Sequence, residues 1–203
     1  MTPQLINGSC SAKFRRKRRA NVVWLILLSL IFSSGCSKNR GREPARPVTL
    51  PGGAQTLTGR VVRIADGDTI TVLDSTNTQH RIRLQGIDAP ESHQAYGSQS
   101  KQNLSAMIFD KDVTVTYEKI DQYGRIVGKI LLDGKDMNLE QVKAGLAWHY
   151  KFYEDEQTPE DRALYAKAED EARAARRGLW QDPNPVEPYQ FRREEKRDTQ
   201  RTR

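Results

Sequence analysis

Alternation of apolar and polar residues sets in at Thr56. "TLTGRVVRI" (56–64), "TITVLD" (69–74) and "HRIRLQGI" (80–87) are rich in β-branched residues and alternate in character, which predicts three consecutive strands. In the third, Ile82 and Leu84 point to one face and Arg81 and Arg83 to the other. The period then changes. In "AYGSQSKQNLSAMIFD" (95–110), Leu104, Met107 and Ile108 fall on one helical face. "KDVTVTYEKI" (111–120) and "GRIVGKILLDGK" (124–135) alternate again and predict two more strands, with "DQYG" between them. Beyond them the pattern is helical. "MNLEQVKAG" is a short helix closed by Gly145. A longer one starts at Thr158-Pro159-Glu160-Asp161, a cap residue, a first-turn proline and two acids near the positive end of the dipole. Its apolar stripe reads Leu164, Ala168, Ala172, Ala175 and Leu179.

Five strands with a helix after the third match the strand order of an oligonucleotide/oligosaccharide-binding (OB) barrel. Such barrels are partly open and bind ligands on one face and its loops. The expected fold is α+β and mostly β: a five-stranded OB barrel with three helices, one inserted after strand 3 and two C-terminal. The organisation expected is an N-terminal address over 1–36, a Pro, Gly and Arg rich spacer over 37–55, one globular domain over 56–182, and a charged, poorly ordered tail over 183–203.

Charge changes the picture less than its total suggests. The net charge of +7 invites a nucleic-acid reading, but residues 1–36 hold six Lys/Arg and no acid, and without them 27 basic residues face 26 acidic ones. Residues 56–182 carry 17 Lys/Arg against 21 Asp/Glu. A globally basic field is therefore excluded as the means of holding a polyanion, and placed cations or a metal are needed.

The basic run ending at Arg19, the eleven mostly apolar residues Val22 to Phe32, and the small residues before Cys36 read as a secretory signal. The apolar run is too short to span a bilayer comfortably. Ser33-Ser34-Gly35-Cys36 resembles a bacterial lipobox, although Ser33 stands where Leu is usual. The expectation is cleavage before Cys36, lipidation of its sulfur, and an exported cell-envelope lipoprotein. Plain secretion and an uncleaved N-terminal anchor are the alternatives. Cys10 would leave with the signal, so no cysteine would remain for a disulfide or a thiolate metal site.

Four stretches carry the candidate chemistry: "DGDT" (66–69), "RLQGIDAPE" (83–91), "DQYGR" (121–125) and "WHYKFY" (148–153). Asp68 and Asp88 sit twenty residues apart at the ends of neighbouring predicted strands, so hairpin geometry can bring both to one end of a barrel. Carboxylates suit a hard divalent cation, and guanidinium groups grip phosphate oxygens in pairs.

In order and spacing these stretches resemble the staphylococcal nuclease (thermonuclease) family of calcium-dependent phosphodiesterases, over about 56–182. The resemblance implies that Asp68 and Asp88 hold calcium, helped by the backbone carbonyl of Ala89. The type member has Thr at that place; a carbonyl ligand survives the change, whereas a side-chain contact would not. It implies that Arg83 and Arg125 are catalytic, and that Glu91 orients or deprotonates the attacking water. Asp66 is either a turn residue or an acid behind the metal. Thr69 is a turn former or a hydrogen-bond donor to a ligand carboxylate. Tyr123 either stacks on a base or packs on the barrel rim, and Tyr150 and Tyr153 fall near the family's nucleotide-contacting tyrosines.

Trp148 and Trp180 are expected in the core. His80, His93 and His149 show no metal spacing and are expected to be satisfied or at the surface. The function implied is a monomeric, calcium-dependent endonuclease on DNA and RNA that leaves 3′-phosphate ends. The rival is an inactive nuclease-like binding or adaptor module on the cell envelope. The presence together of Asp68, Arg83, Asp88, Glu91 and Arg125 favours the enzyme.

Overall fold

A computed structural model describes residues 53–201. The signal, Cys36 and nearly all of the spacer lie outside the described residues. The five expected strands are β1 (Gln55–Ile64), β2 (Thr69–Asp74), β3 (Gln79–Leu84), β5 (Asp112–Ile120) and β6 (Ile126–Leu132). They form a sheet in the order β3-β2-β1-β5-β6, and β3 also pairs parallel with β6, closing an OB-type barrel. Closure removes the exposed edges that β3 and β6 would otherwise present.

The alternation seen in the sequence lines the barrel interior. Val61, Ile70, Val72, Ile82, Val115 and Ile130 are each fully buried, and each contributes about 1.5–3 kcal/mol relative to an exposed side chain. Three two-residue strands are additional: β4 (Ile87–Asp88), β7 (Lys135–Asp136) and β8 (Trp148–His149). The pairing of β4 with β8 sets Asp88 opposite Trp148.

The helices are α1 (Gly97–Ile108), α2 (Met137–Lys143), α3 (Pro159–Ala174) and α4 (Pro188–Arg201), so there are four where the pattern predicted three. In α1, Leu104 and Ile108 enter the core as expected, with Met107 packed against it. The Asp136 carboxylate caps α2 by accepting from the Leu139 N–H, and the Thr158 hydroxyl caps α3 by accepting from the Asp161 N–H.

The expected stripe of α3 requires correction. Leu164 is half exposed and Ala175 lies on the outside. The buried positions are Tyr165, Ala168, Glu169 and Ala172, because Tyr165 supplies the large apolar ring and donates its hydroxyl to Asp136. Leu179 and Trp180 belong to a separate 3-10 turn, Gly178–Gln181. Trp148 and Trp180 pack edge to face in a second buried cluster with Ala172 and Leu179, as expected of core residues.

The tail differs most from expectation. Instead of being poorly ordered, it forms α4. Its Gln, Arg, Glu and Lys residues have high helix propensity, and Pro188 sits in the first turn, where proline is tolerated. Contacts to the body then fix it: the Gln94 side chain donates to the Val186 carbonyl, and the Phe191 ring lies 5.1 Å from His93.

Candidate active site

Barrel closure explains why distant residues meet. The β3–β6 register sets Arg83 beside Val127 and Ile82 beside Ile126, so the residue just before β6, Arg125, opens onto the same mouth as Arg83. Thr69 is paired with Arg83 across the β2–β3 ladder, which brings the DGD turn to the same place. The mouth opens into a cleft of about 830 Å³, lined by Asp66, Asp68, Thr69, Arg83, Ala89, Glu91, Arg125, Tyr123, Tyr150 and Tyr153 among others.

The DGD run is a turn. The Ala65 N–H donates to the Thr69 carbonyl, and the Asp68 N–H donates to Asp66 Oδ1. Gly67 is required by close approach: a Cβ there would lie 1.9 Å from Ser100 Oγ and 2.8 Å from the Ala89 Cβ. Two buried amides hold this frame. Gln141 donates to the Gly67 and Ser100 carbonyls, and Asn138 donates to the Gln85 and Gly128 carbonyls while accepting from the Ile130 N–H. Gln141→Ala would leave buried partners unsatisfied, at a cost of about 1–3 kcal/mol for each group orphaned. Urea unfolding should therefore show a clearly lowered midpoint for this variant, with an unchanged slope.

At the centre, Arg83 lies between two buried acids. Its guanidinium contacts Asp68 Oδ2 at 3.0 Å and Asp88 Oδ1 at 2.9 Å, and it donates to the carbonyls of Leu84 and Ile87. Asp68 Oδ2 also accepts from the Ala89 N–H at 2.7 Å, and Asp68 Oδ1 accepts from the Thr69 hydroxyl. Thr69 thus steadies a predicted ligand carboxylate. Asp66 combines its turn role with a carboxyl pushed up to about 7 by burial and by the neighbouring Asp68 charge. Burial also raises the Asp88 carboxyl, against the pull of Arg83. Burial is the leading cause of both shifts, so a cation in the pocket would favour the charged form of both carboxyls.

Arg125 lines the same cleft, but its side-chain contacts among the described residues are to Asp121 and Tyr123 rather than to this cluster. Its Nε donates to Asp121 Oδ2 at 2.7 Å, its N–H donates to Asp121 Oδ1, and its guanidinium lies 5.3 Å from the Tyr123 ring centre. The turn aspartate thus orients the arginine, as the "DQYG" spacing implies. Tyr123 is 70% exposed, which places it on the rim beside Arg125. Tyr150 and Tyr153 pack edge to face at 5.4 Å on the far side, with Lys119 over the Tyr153 ring. Burial and then the Asp88 charge raise the Tyr150 hydroxyl pKa, so it stays protonated and able to donate.

Arg192 of α4 was not legible as a site residue. It contacts Asp88 Oδ2 at 2.9 Å and Glu91 Oε1 at 2.8 Å, joining the two acids at the mouth. Its only sequence signal is the spacing Tyr189, Arg192, Lys196, which lies on one helical face. Of the three histidines, His80 pairs with Asp74, His93 with Glu195, and buried His149 bonds to Gln157 through Nε2 while its Nδ1 has no partner among the described residues.

Hard oxygen donors suit calcium. Among the described residues no three His, Cys, Asp or Glu side chains form a ready-made ligand cluster, and Arg83 and Arg192 sit on the oxygens a cation would take. The carboxylate oxygens of Asp66, Asp68 and Asp88 are nevertheless donors of the kind a hard divalent ion takes. Carboxylates for a hard cation beside guanidinium groups for phosphate are the parts from which a phosphoester hydrolase is built.

The comparisons with known proteins agree with that class. Residues 81–182 match the staphylococcal nuclease homologue family. The chain is 42% identical over 139 residues to an uncharacterized endonuclease of Haemophilus influenzae, covering 68% of this chain and 75% of that one. It is 43% identical over 150 residues to a micrococcal nuclease of Shigella flexneri, covering 70% and 83%. An uncharacterized endonuclease of Escherichia coli is 44% identical over 135 residues, covering 66% and 84%. The chain belongs to the staphylococcal nuclease family and is a hydrolase of the nuclease class.

Proposed function

We propose that the protein is a calcium-dependent endonuclease that hydrolyses DNA and RNA and leaves 3′-phosphate ends. The observation that carries this reading is the position of Arg83 between Asp68 and Asp88, at a mouth shared with Glu91 and Arg125. Calcium held by Asp68, Asp88 and the Ala89 carbonyl, with Asp66 and Thr69 behind, would offset phosphate charge and polarise the reacting phosphorus centre.

The chain's own residues supply the rest. Glu91, at the rim with one oxygen bonded to Arg192, takes a proton from water once that contact opens. Arg83 and Arg125 approach the phosphate from two sides and bind its equatorial oxygens more tightly as charge accumulates there, which lowers the barrier. Tyr150 is placed to donate to a phosphate oxygen, and Tyr123 and Tyr153 offer rings for bases. Contacts of this kind carry little sequence information, so broad specificity is expected.

The same reading includes export, a lipid anchor on Cys36 and a monomeric state. Export and the anchor rest on the basic run, the apolar run and the lipobox-like residues before Cys36, and the monomeric state on the family resemblance alone. A defined oligonucleotide and a plasmid incubated with the purified chain test the function. Cleavage with calcium, its loss with a chelator, and 3′-phosphate product ends support the reading, whereas 5′-phosphate ends or indifference to the chelator contradict it.

Arg192 gives a second expectation. Because its guanidinium occupies Asp88 Oδ2 and Glu91 Oε1, a cation must displace it. Arg192→Ala should therefore tighten calcium binding, measured by calorimetry without nucleic acid, by about tenfold for each 1.4 kcal/mol of competition removed. Equal affinity in both proteins would mean that the guanidinium and the ion do not compete.

A further inference from the structure

We propose that α4 forms a second nucleic-acid-binding wall of the cleft, with Tyr189 stacking on a base and Lys196 contacting a phosphate. The inference rests on the nuclease reading and extends it to a helix outside residues 81–182, the stretch that matches the family.

Tyr189, Arg192 and Lys196 are spaced i, i+3 and i+7, so they share one face of α4. All three line the cleft that contains Arg83 and Arg125. A charged helix is ordinarily just a solvated face. Here Arg192 settles the orientation, because its pairs with Asp88 and Glu91 turn that face inward. The neighbouring flank is tied down by the Phe191–His93 ring contact and the His93–Glu195 pair. Tyr189 lines the cleft and remains 45% exposed, with the Arg193 guanidinium 5.5 Å from its ring centre, and Lys196 is exposed and in no ion pair among the described residues.

The β5–β6 side of the cleft presents the same two chemistries, an exposed Tyr123 ring and the guanidinium of Arg125, while Lys119 there is paired with Glu156. A polynucleotide offers one base and one phosphate per step, so rings and cations on both walls suit a strand longer than the nucleotide being cut. Arg192 holds this face inward until a cation displaces it. The Phe191–His93 and His93–Glu195 contacts hold α4 in place independently of the site acids, and Tyr189 and Lys196 make the contacts to the strand.

The test compares the full chain with its Tyr189→Ala and Lys196→Ala variants, with Arg197→Ala as a control elsewhere on α4. Affinity for a labelled single strand of about 16 nucleotides is read by anisotropy over a range of salt, and cleavage is measured on that strand and on a dinucleotide. Each variant should weaken strand binding about five- to tenfold. Lys196→Ala should also flatten the log–log salt dependence by about 0.7. Dinucleotide turnover should stay at the wild-type level, and Arg197→Ala should match wild type throughout. Wild-type affinity and slope in both variants would overturn the proposal, as would an equal loss on the dinucleotide, which would make α4 part of the catalytic centre. Wild-type protein that binds the strand without cutting it would contradict the nuclease reading alone, and the affinity comparison would still decide the wall.

Discussion

Arg83→Ala should lose both activity and stability, and the two losses should separate on adding calcium. The guanidinium bonds to two buried carboxylates and two backbone carbonyls, so its removal leaves Asp68 without a countercharge inside the protein. Breaking a buried pair in this way costs about 3–5 kcal/mol. Burial between two acids makes Arg83 structural as well as catalytic. A divalent cation restores the missing charge, so calcium should recover much of the unfolding midpoint. Turnover should stay down by about 10²–10³-fold or more, the usual loss when one preorganised donor to a developing oxyanion is removed. Arg83→Lys should recover some stability but little activity, because an ammonium cannot bridge two acceptors in a planar fork. Near-wild-type kcat in either variant would refute the role.

Arg125→Ala should separate catalysis from folding. Its side chain is partly exposed, and among the described residues its one ion pair is with Asp121, on a turn, a pair worth about 0–1 kcal/mol. The unfolding midpoint should hardly move while kcat falls by about 10²–10³-fold. A rise in KM with unchanged kcat would instead make Arg125 a ground-state grip on the substrate.

The contrast between the two arginines also marks how far the sequence could be read. Strands declare themselves because one face is buried, so the alternation around Val61, Ile82 and Val115 placed β1, β3 and β5. The DGD, DAPE and DQYGR stretches were legible because turn residues and acids stand where strands end. What joins them was not legible. The parallel β3–β6 pairing leaves no mark in either strand's pattern, yet it carries Arg83 and Arg125 to one mouth.

Buried polar residues were also hidden. Gln141 and Asn138 stand in the short helix without any mark of burial in the sequence, yet they are fully buried and hold the DGD turn and the segment before Asp88. Leu164 looked like core because it is apolar, whereas Tyr165 takes that place by burying its ring and satisfying its hydroxyl on Asp136. Arg192 was masked by composition: in a run dense with charge, no single guanidinium stands out until an acid pair is found opposite it.

The central claim is that one barrel mouth gathers two acids for a cation and two guanidinium groups for a phosphate. A crystal grown with calcium and a nucleoside 3′,5′-bisphosphate tests it most directly. The account predicts calcium on Asp68 and Asp88, phosphate oxygens on Arg83 and Arg125, and Arg192 drawn off Asp88. Calcium bound elsewhere, or a nucleotide seated away from those arginines, would contradict it.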